Sequence, residues 1–155
     1  PAAAIMADVL AKEVDFFSIG TNDLTQYTLA VDRGNENVSY LYSALNPAVI
    51  RSIKRIIECA HNAGIEVGMC GEAAADERMI PLLLAFGLDE FSVTVSRVLE
   101  VRKEIASWSV KESKDIAQSI SGYSEEKEVA NYLNDYVMSA KERENVAEQS
   151  QNIEK

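Results

Sequence analysis

Ser18-Ile19-Gly20-Thr21-Asn22-Asp23-Leu24-Thr25-Gln26-Tyr27 is the stretch that decides the fold. The run that feeds it, Val14 to Ile19, has the near-continuous apolar character of a buried strand, covered on both faces in a parallel sheet. After Gly20 come an amide, Asn22, and a carboxylate, Asp23; a polar-aromatic segment then leads to Arg33. In parallel α/β proteins ligands sit at the carboxyl ends of strands, where loops carry polar groups over a rigid sheet. Val67-Gly68-Met69-Cys70-Gly71-Glu72 repeats the layout, with a thiol and a carboxylate at a strand exit.

Outward from these two exits, helical and strand patterns alternate. Residues 1–12 read as a helix with Ile5, Val9 and Leu10 as its apolar stripe. Thr25 to Val31 suggests a short helix, followed by a polar loop, Asp32 to Asn37. Asn46-Pro47 opens a helix to Ala63 whose broad apolar face holds Val49, Ile50, Ile53, Ile56, Ile57 and Ala60; Gly64 stops it. Glu66 to Met69 reads as the second strand. Asp76 reads as the cap of a helix that ends at Phe86-Gly87, with Leu82, Leu83 and Leu84 as core. Glu90 to Val93 reads as a third strand and Arg97 to Trp108 as a further helix. This rhythm predicts an α/β fold with a parallel sheet and helical crossovers. Lys111 to Lys155 is charged and acidic, with weak stripes at Ile116 and Ile120, then Val129, Tyr132, Leu133, Tyr136 and Val137. From Ala140 onward little apolar remains, and fraying or an exposed helix is expected.

Composition narrows the function. The chain has 155 residues, and 47% hydrophobic content is enough for a real core. A net charge of −10 argues against a nucleic-acid backbone as partner, since phosphate backbones want a basic face. Two cysteines, Cys59 and Cys70, make no disulfide framework and suit a reducing compartment. No apolar run approaches the ~20 residues of a membrane span, so the expectation is a cytoplasmic protein. The chain opens Pro1-Ala2-Ala3-Ala4-Ile5, directly in a helical pattern, which reads as a piece of something longer.

Asp15 through Asn35, with Gly68-Met69-Cys70-Gly71-Glu72 and Gly87-Leu88-Asp89-Glu90-Phe91-Ser92 following in order, resembles the phosphoenolpyruvate-binding barrel of the Enzyme I family of the bacterial sugar phosphotransferase system. The resemblance covers Pro1 to about Ser109. It implies that residues 1–110 form the last three β/α units of a (β/α)₈ barrel, incomplete here because a full barrel takes ~250 residues. Residues 111–155 would then be an acidic helical tail. The implied reaction moves the phosphoryl group of phosphoenolpyruvate to a histidine on a separate domain and releases pyruvate. The implied partners are that phosphohistidine domain and a phosphocarrier protein. The phosphohistidine domain, the early-barrel arginines that grip phosphate and a metal-binding glutamate just upstream of Pro1 are not in this sequence. Pyruvate phosphate dikinase and phosphoenolpyruvate synthase share the Asn-Asp and Cys-Gly-Glu signatures.

The resemblance assigns roles residue by residue. Asp23 matches the family's Mg²⁺ ligand, a task that suits a hard carboxylate; alone, it reads as a helix cap or turn. Asn22 matches a substrate contact, since its amide donates to phosphate or carboxylate oxygens without adding charge; alone, it is a turn asparagine. Arg33 matches a phosphate clamp and is otherwise a solvated loop arginine beside Asp32. Cys70 matches the family's proton donor. A cysteine thiol ordinarily titrates near ~8.5, so it carries a proton at neutral pH and can protonate the methylene carbon of enolpyruvate. The alternative for Cys70 is a buried structural cysteine, which is how Cys59 reads. Glu72 orients Cys70 or a substrate oxygen, or else caps the next turn. His61, near a helix end, reads as a surface or capping residue.

Two further expectations concern the chain by itself. Three strands cannot close a barrel and leave an open parallel edge, so the chain should lack turnover and should self-associate or adopt a rearranged layering that covers its inner face. A different class of function, a non-catalytic oligomerisation module, would use the surface from Tyr40 to Ile57.

Overall fold

The computed structural model describes the backbone of residues 1–153 and the side chains of residues 1–139. Three strands form one parallel sheet. They are β1 (Phe16–Gly20), β2 (Glu66–Cys70) and β3 (Glu90–Phe91), in that spatial order. Phe16 pairs with Glu66, Gly20 with Cys70, and Gly68 with Glu90. Parallel neighbours require long crossovers, and helices supply them. The helices are α1 (Ala2–Ile5), α2 (Ala7–Leu10), α3 (Thr21–Leu29), α4 (Pro47–Ala63), α5 (Ile80–Phe86), α6 (Val98–Ser107), α7 (Val110–Ile120) and α8 (Glu126–Ile153). The expected mixed α/β architecture with a parallel sheet stands.

α4 is the main wall of the core. Its first turn is set by the Asn46 side chain, which accepts from the Ala48 N–H at 2.9 Å, and by Pro47 in the first turn. Its end is set by Gly64 at φ 76, a left-handed conformation that a side chain would strain. Val49, Ile53, Ile57 and Ala60 are fully buried in the core that also holds Ile19, Val67 and Met69. Cys59 is buried as expected, and Leu82 and Leu83 lie in the same core.

Among the described residues the sheet is covered on one face, not two. Alternation along a strand sends Ile19, Val67 and Met69 toward the helices, while Phe16, Ser18, Gly20, Glu66 and Cys70 are exposed. The reason lies in the residues: apart from Phe16, that second face is built from small, polar and charged groups with little to gain from burial.

Several sequence expectations are corrected. The first helix is interrupted at Met6, and its buried face is Ala4, Ala7 and Ala11, packed toward α4. The large residues Ile5, Val9 and Leu10 point outward, Ile5 with 67% exposure. Small side chains let two helices approach closely, so the alanines and not the larger residues form the contact. The helix expected at Thr25 begins at Thr21, directly after β1. β3 ends at Phe91, although the Ser92 N–H still donates to the Met69 carbonyl at 2.8 Å. Asp76 does not cap α5. Its carboxylate takes the Arg78 backbone N–H at 2.9 Å and both ends of the Arg78 guanidinium, and Met79 holds the cap position.

The acidic carboxyl-terminal segment packs onto this core. Ser109 and Glu112 form a reciprocal capping box that starts α7, and α7 lies along α5. Ile116, Ile120, Val129, Leu133 and Val137 belong to the same buried cluster as the sheet residues. Trp108, Tyr136 and Tyr132 stack with centroids 5.8 and 6.1 Å apart, and the Trp108 Nε1–H donates to Glu104 at 2.9 Å. The fraying expected from Ala140 falls outside the described side chains; the backbone of α8 continues to Ile153.

Candidate functional site

Parallel pairing decides where the chemistry sits. Because Gly20 lies opposite Cys70, the residues that follow β1 and the thiol that ends β2 share one edge of the sheet, the carboxyl edge. Thr21, Asn22 and Asp23 form the first turn of α3 there. Glu72 opens a 3₁₀ turn, Glu72–Ala75, beside it. Thr94 and Arg97 follow β3 at the same edge and, with Asn22, Gly71, Glu72 and Ser92, line a cleft of about 470 Å³. A volume of that size accommodates a small ligand.

Hydrogen bonds join the first two exits. The Thr21 hydroxyl donates to the Cys70 carbonyl at 2.9 Å, and the Glu72 N–H donates to Asn22 Oδ1 at 3.1 Å. The second bond engages the carbonyl end of the Asn22 amide, so both Nδ2 protons remain for another acceptor. Tyr42 contributes its hydroxyl to the Asn22 carbonyl at 3.2 Å. Gly71, between thiol and carboxylate, has φ 96, and a Cβ there would clash with Thr21 Oγ1.

The predicted residues are brought together in part. Asn22 and Cys70 leave the same edge and are linked only through neighbours, Thr21 bonding the Cys70 carbonyl and Asn22 the Glu72 N–H; Cys70 is a free, exposed thiol beside the cleft rather than in its lining. Asp23, also exposed, turns away from Asn22 around α3 and lines a second hollow of about 340 Å³ with Pro1, Ser18 and Tyr27. Arg33 lies beyond the other end of α3, exposed, with its backbone N–H donating to Gln26 Oε1 at 3.2 Å. Among the described residues no ion pair ties its guanidinium to Asp23. Glu72 has an exposed side chain, and its backbone rather than its carboxylate makes the contact to Asn22.

Sequence reasoning missed Thr21, Tyr42 and Arg97. Thr21 carried one usable signal, its place as the first residue after the strand glycine. Arg97, held by the Ala75 carbonyl at 2.9 Å and by Glu100 at 3.2 Å, carries in the sequence only the signal of a helix start. His61 lies at the opposite edge, where its Nε2 meets Asp89 Oδ2 at 3.0 Å, and takes no part in the cleft. Among the described residues, no cluster of three or more His, Cys, Asp or Glu side chains could hold a metal, and no helix is long and apolar enough to cross a membrane.

Residues 1–110 match the family described as PEP-utilising enzyme, PEP-binding domain. The chain belongs to that family. It is 52% identical over 137 residues to a phosphoenolpyruvate-protein phosphotransferase of Staphylococcus aureus, covering 88% of this chain and 24% of the relative. It is 49% identical over 138 residues to the protein of that name in Buchnera aphidicola, covering 89% and 24%. The resemblance to Enzyme I read from the motifs is borne out, and the chain spans about a quarter of the length of the relatives it matches.

Proposed function

We propose that this chain is part of a phosphoenolpyruvate-protein phosphotransferase and supplies the last three β/α units of its (β/α)₈ barrel, with residues 111–155 as an appended helical segment. The observation that carries this reading is the Gly20–Cys70 register, which sends Asn22, Asp23 and Cys70 out of one sheet edge, with Asn22 and the Cys70 turn hydrogen-bonded to each other. In the complete protein the phosphoryl group leaves the enol oxygen of phosphoenolpyruvate for a histidine nitrogen on a separate domain. The enolate left behind takes a proton at its methylene carbon from Cys70 Sγ, giving pyruvate and a thiolate that regains its proton from solvent. Asn22 Nδ2 donates to a phosphate or carboxylate oxygen of the substrate. Arg33 binds the phosphate once the rest of the barrel positions its loop.

Asp23 fits Mg²⁺ as a single hard-oxygen ligand, since that ion takes one or two carboxylates and completes its shell with substrate oxygens and water. An Mg²⁺ held by Asp23 would supply neutralisation of the charge on the phosphoryl oxygens. A phosphocarrier protein receives the phosphoryl group in a cytoplasmic relay. Self-association fits the exposed Tyr40 (79%) and Leu41 within the surface already considered for an oligomer.

Titration calorimetry with phosphoenolpyruvate and Mg²⁺ tests the reading, on this chain and on one extended upstream through the expected glutamate. Binding by the longer chain alone is expected; binding by neither overturns it. The 155-residue chain by itself should release no pyruvate, and light scattering should find it associated.

A further inference from the structure

Of the two residues that bridge the exits, Thr21 and Asn22, the first is not one of those assigned to chemistry. Thr21 is 1% exposed, and its hydroxyl donates to the Cys70 carbonyl across forty-nine positions of sequence. A buried hydroxyl that satisfies a backbone acceptor at a strand end fixes that end, because losing the bond leaves the carbonyl without its partner. The neighbouring bond, Glu72 N–H to Asn22 Oδ1, holds the same turn two residues further on. Between these two points the backbone passes through Gly71 at φ 96, so close to Thr21 that a side chain there would collide with its hydroxyl. The Cys-Gly-Glu turn is therefore gripped on both sides of the glycine by consecutive residues of α3. Cys70 itself is exposed at the carboxyl edge of the sheet.

We propose that Thr21 is a positioning residue for Cys70: its hydroxyl, paired with the Asn22 bond to Glu72, sets the backbone from which the thiol is aimed. This rests on reading Cys70 as the site's proton donor, but the clamp itself is measurable without turnover. A side chain that anchors a proton donor's backbone from a neighbouring element is expected to act on the thiol's presentation rather than on substrate affinity.

The test uses the full 155-residue chain with Cys59→Ala, so that Cys70 is the sole thiol. The alkylation rate of Cys70 by iodoacetamide is measured from pH 6.5 to 9.5 in three forms: Thr21 intact, Thr21→Val and Thr21→Ser. The expected result is a change of threefold or more in rate with Thr21→Val, and return to within 1.5-fold with Thr21→Ser, which keeps the hydroxyl. An unchanged profile in Thr21→Val, or failure of Thr21→Ser to restore it, overturns the proposal. Should Thr21→Val not fold, the unaltered chain still decides: NMR should find the Thr21 hydroxyl proton slow to exchange and scalar-coupled to the Cys70 carbonyl carbon, and absence of both overturns the clamp. In the complete phosphotransferase, Thr21→Val should lower kcat about tenfold with KM for phosphoenolpyruvate within twofold, and Thr21→Ser should recover it. Altered thiol reactivity with unaltered kcat would leave the clamp standing and refute Cys70 as the proton donor.

Discussion

The two ends of the chain both read as amphipathic helices, yet they bury opposite kinds of residue. At the amino end, α1 and α2 turn Ile5, Val9 and Leu10 outward and bury Ala4, Ala7 and Ala11 toward α4. At the carboxyl end, α7 and α8 bury Ile116, Leu133 and Val137 and leave charged residues outside. The lesson is that an apolar stripe is buried only where the chain provides something for it to meet. α7 meets α5, whereas the large residues of α1 and α2 stay exposed, and β1, the strand that follows them, is an edge of the sheet.

The sharpest way to break this comparison is truncation on both sides. Leu133→Ala, at 0% exposure, should cost about 2–5 kcal/mol in urea unfolding, and Ile5→Ala within about 0.5 kcal/mol. Equal effects would dissolve the contrast. Ala7→Leu reverses the experiment by forcing a large residue into the alanine contact, and should cost about 1–3 kcal/mol, whereas Met138→Leu on the exposed side of α8 should be close to neutral. Ser109→Ala removes the hydroxyl that begins α7 and should cost about 1 kcal/mol, read as a lower urea midpoint with an unchanged slope. Arg55→Ala tests the polar fastening of the amino end, where its guanidinium meets Asp8 at 3.0 Å and the Ile5 carbonyl at 2.9 Å. This pair is solvent-exposed, so the loss should be within about 1 kcal/mol and shrink in salt.

The smallest effect should appear only in acid, at the region between the two ends. Burial pushes the Asp89 carboxyl up, but hydrogen bonds from His61 and the Val67 N–H outweigh it, leaving the group below its ordinary value. A depressed carboxylate adds stability that is present above its unfolded value, near ~3.9, and is lost as pH falls through the folded one. Asp89→Asn should therefore flatten the decline of the urea midpoint below about pH 4. A decline identical to that of the unaltered chain would show that other carboxylates cause it.

Much of the scaffold was legible. The α4 boundaries followed from Asn46-Pro47 and Gly64, because capping and a left-handed stop are local chemistry. The three strands followed from apolar runs between glycines, and their parallel order from the alternation with helices. What escaped was set by contacts between distant segments. No capping side chain marks Thr21 as a helix start, since Gly20 holds the cap position without a side-chain bond. The break at Met6 and the preference for alanine over isoleucine depend on how closely α4 approaches, which no window of sequence contains. At the site, the exits of Asn22, Asp23 and Cys70 could be read from strand ends, but the bonds from Thr21 and Glu72 join residues about fifty apart.

The engaged carbonyl of Asn22 has a consequence for how such a protein would age. Hydrolysis of that side-chain amide to a carboxylate would keep an oxygen for the Glu72 N–H, so the turn could survive intact. The two Nδ2 protons would be replaced by a negative charge on the wall of the cleft that Asn22 lines. A single-dalton chemical lesion would thus reverse the polarity of one wall of the cleft while keeping the hydrogen bond that holds the turn.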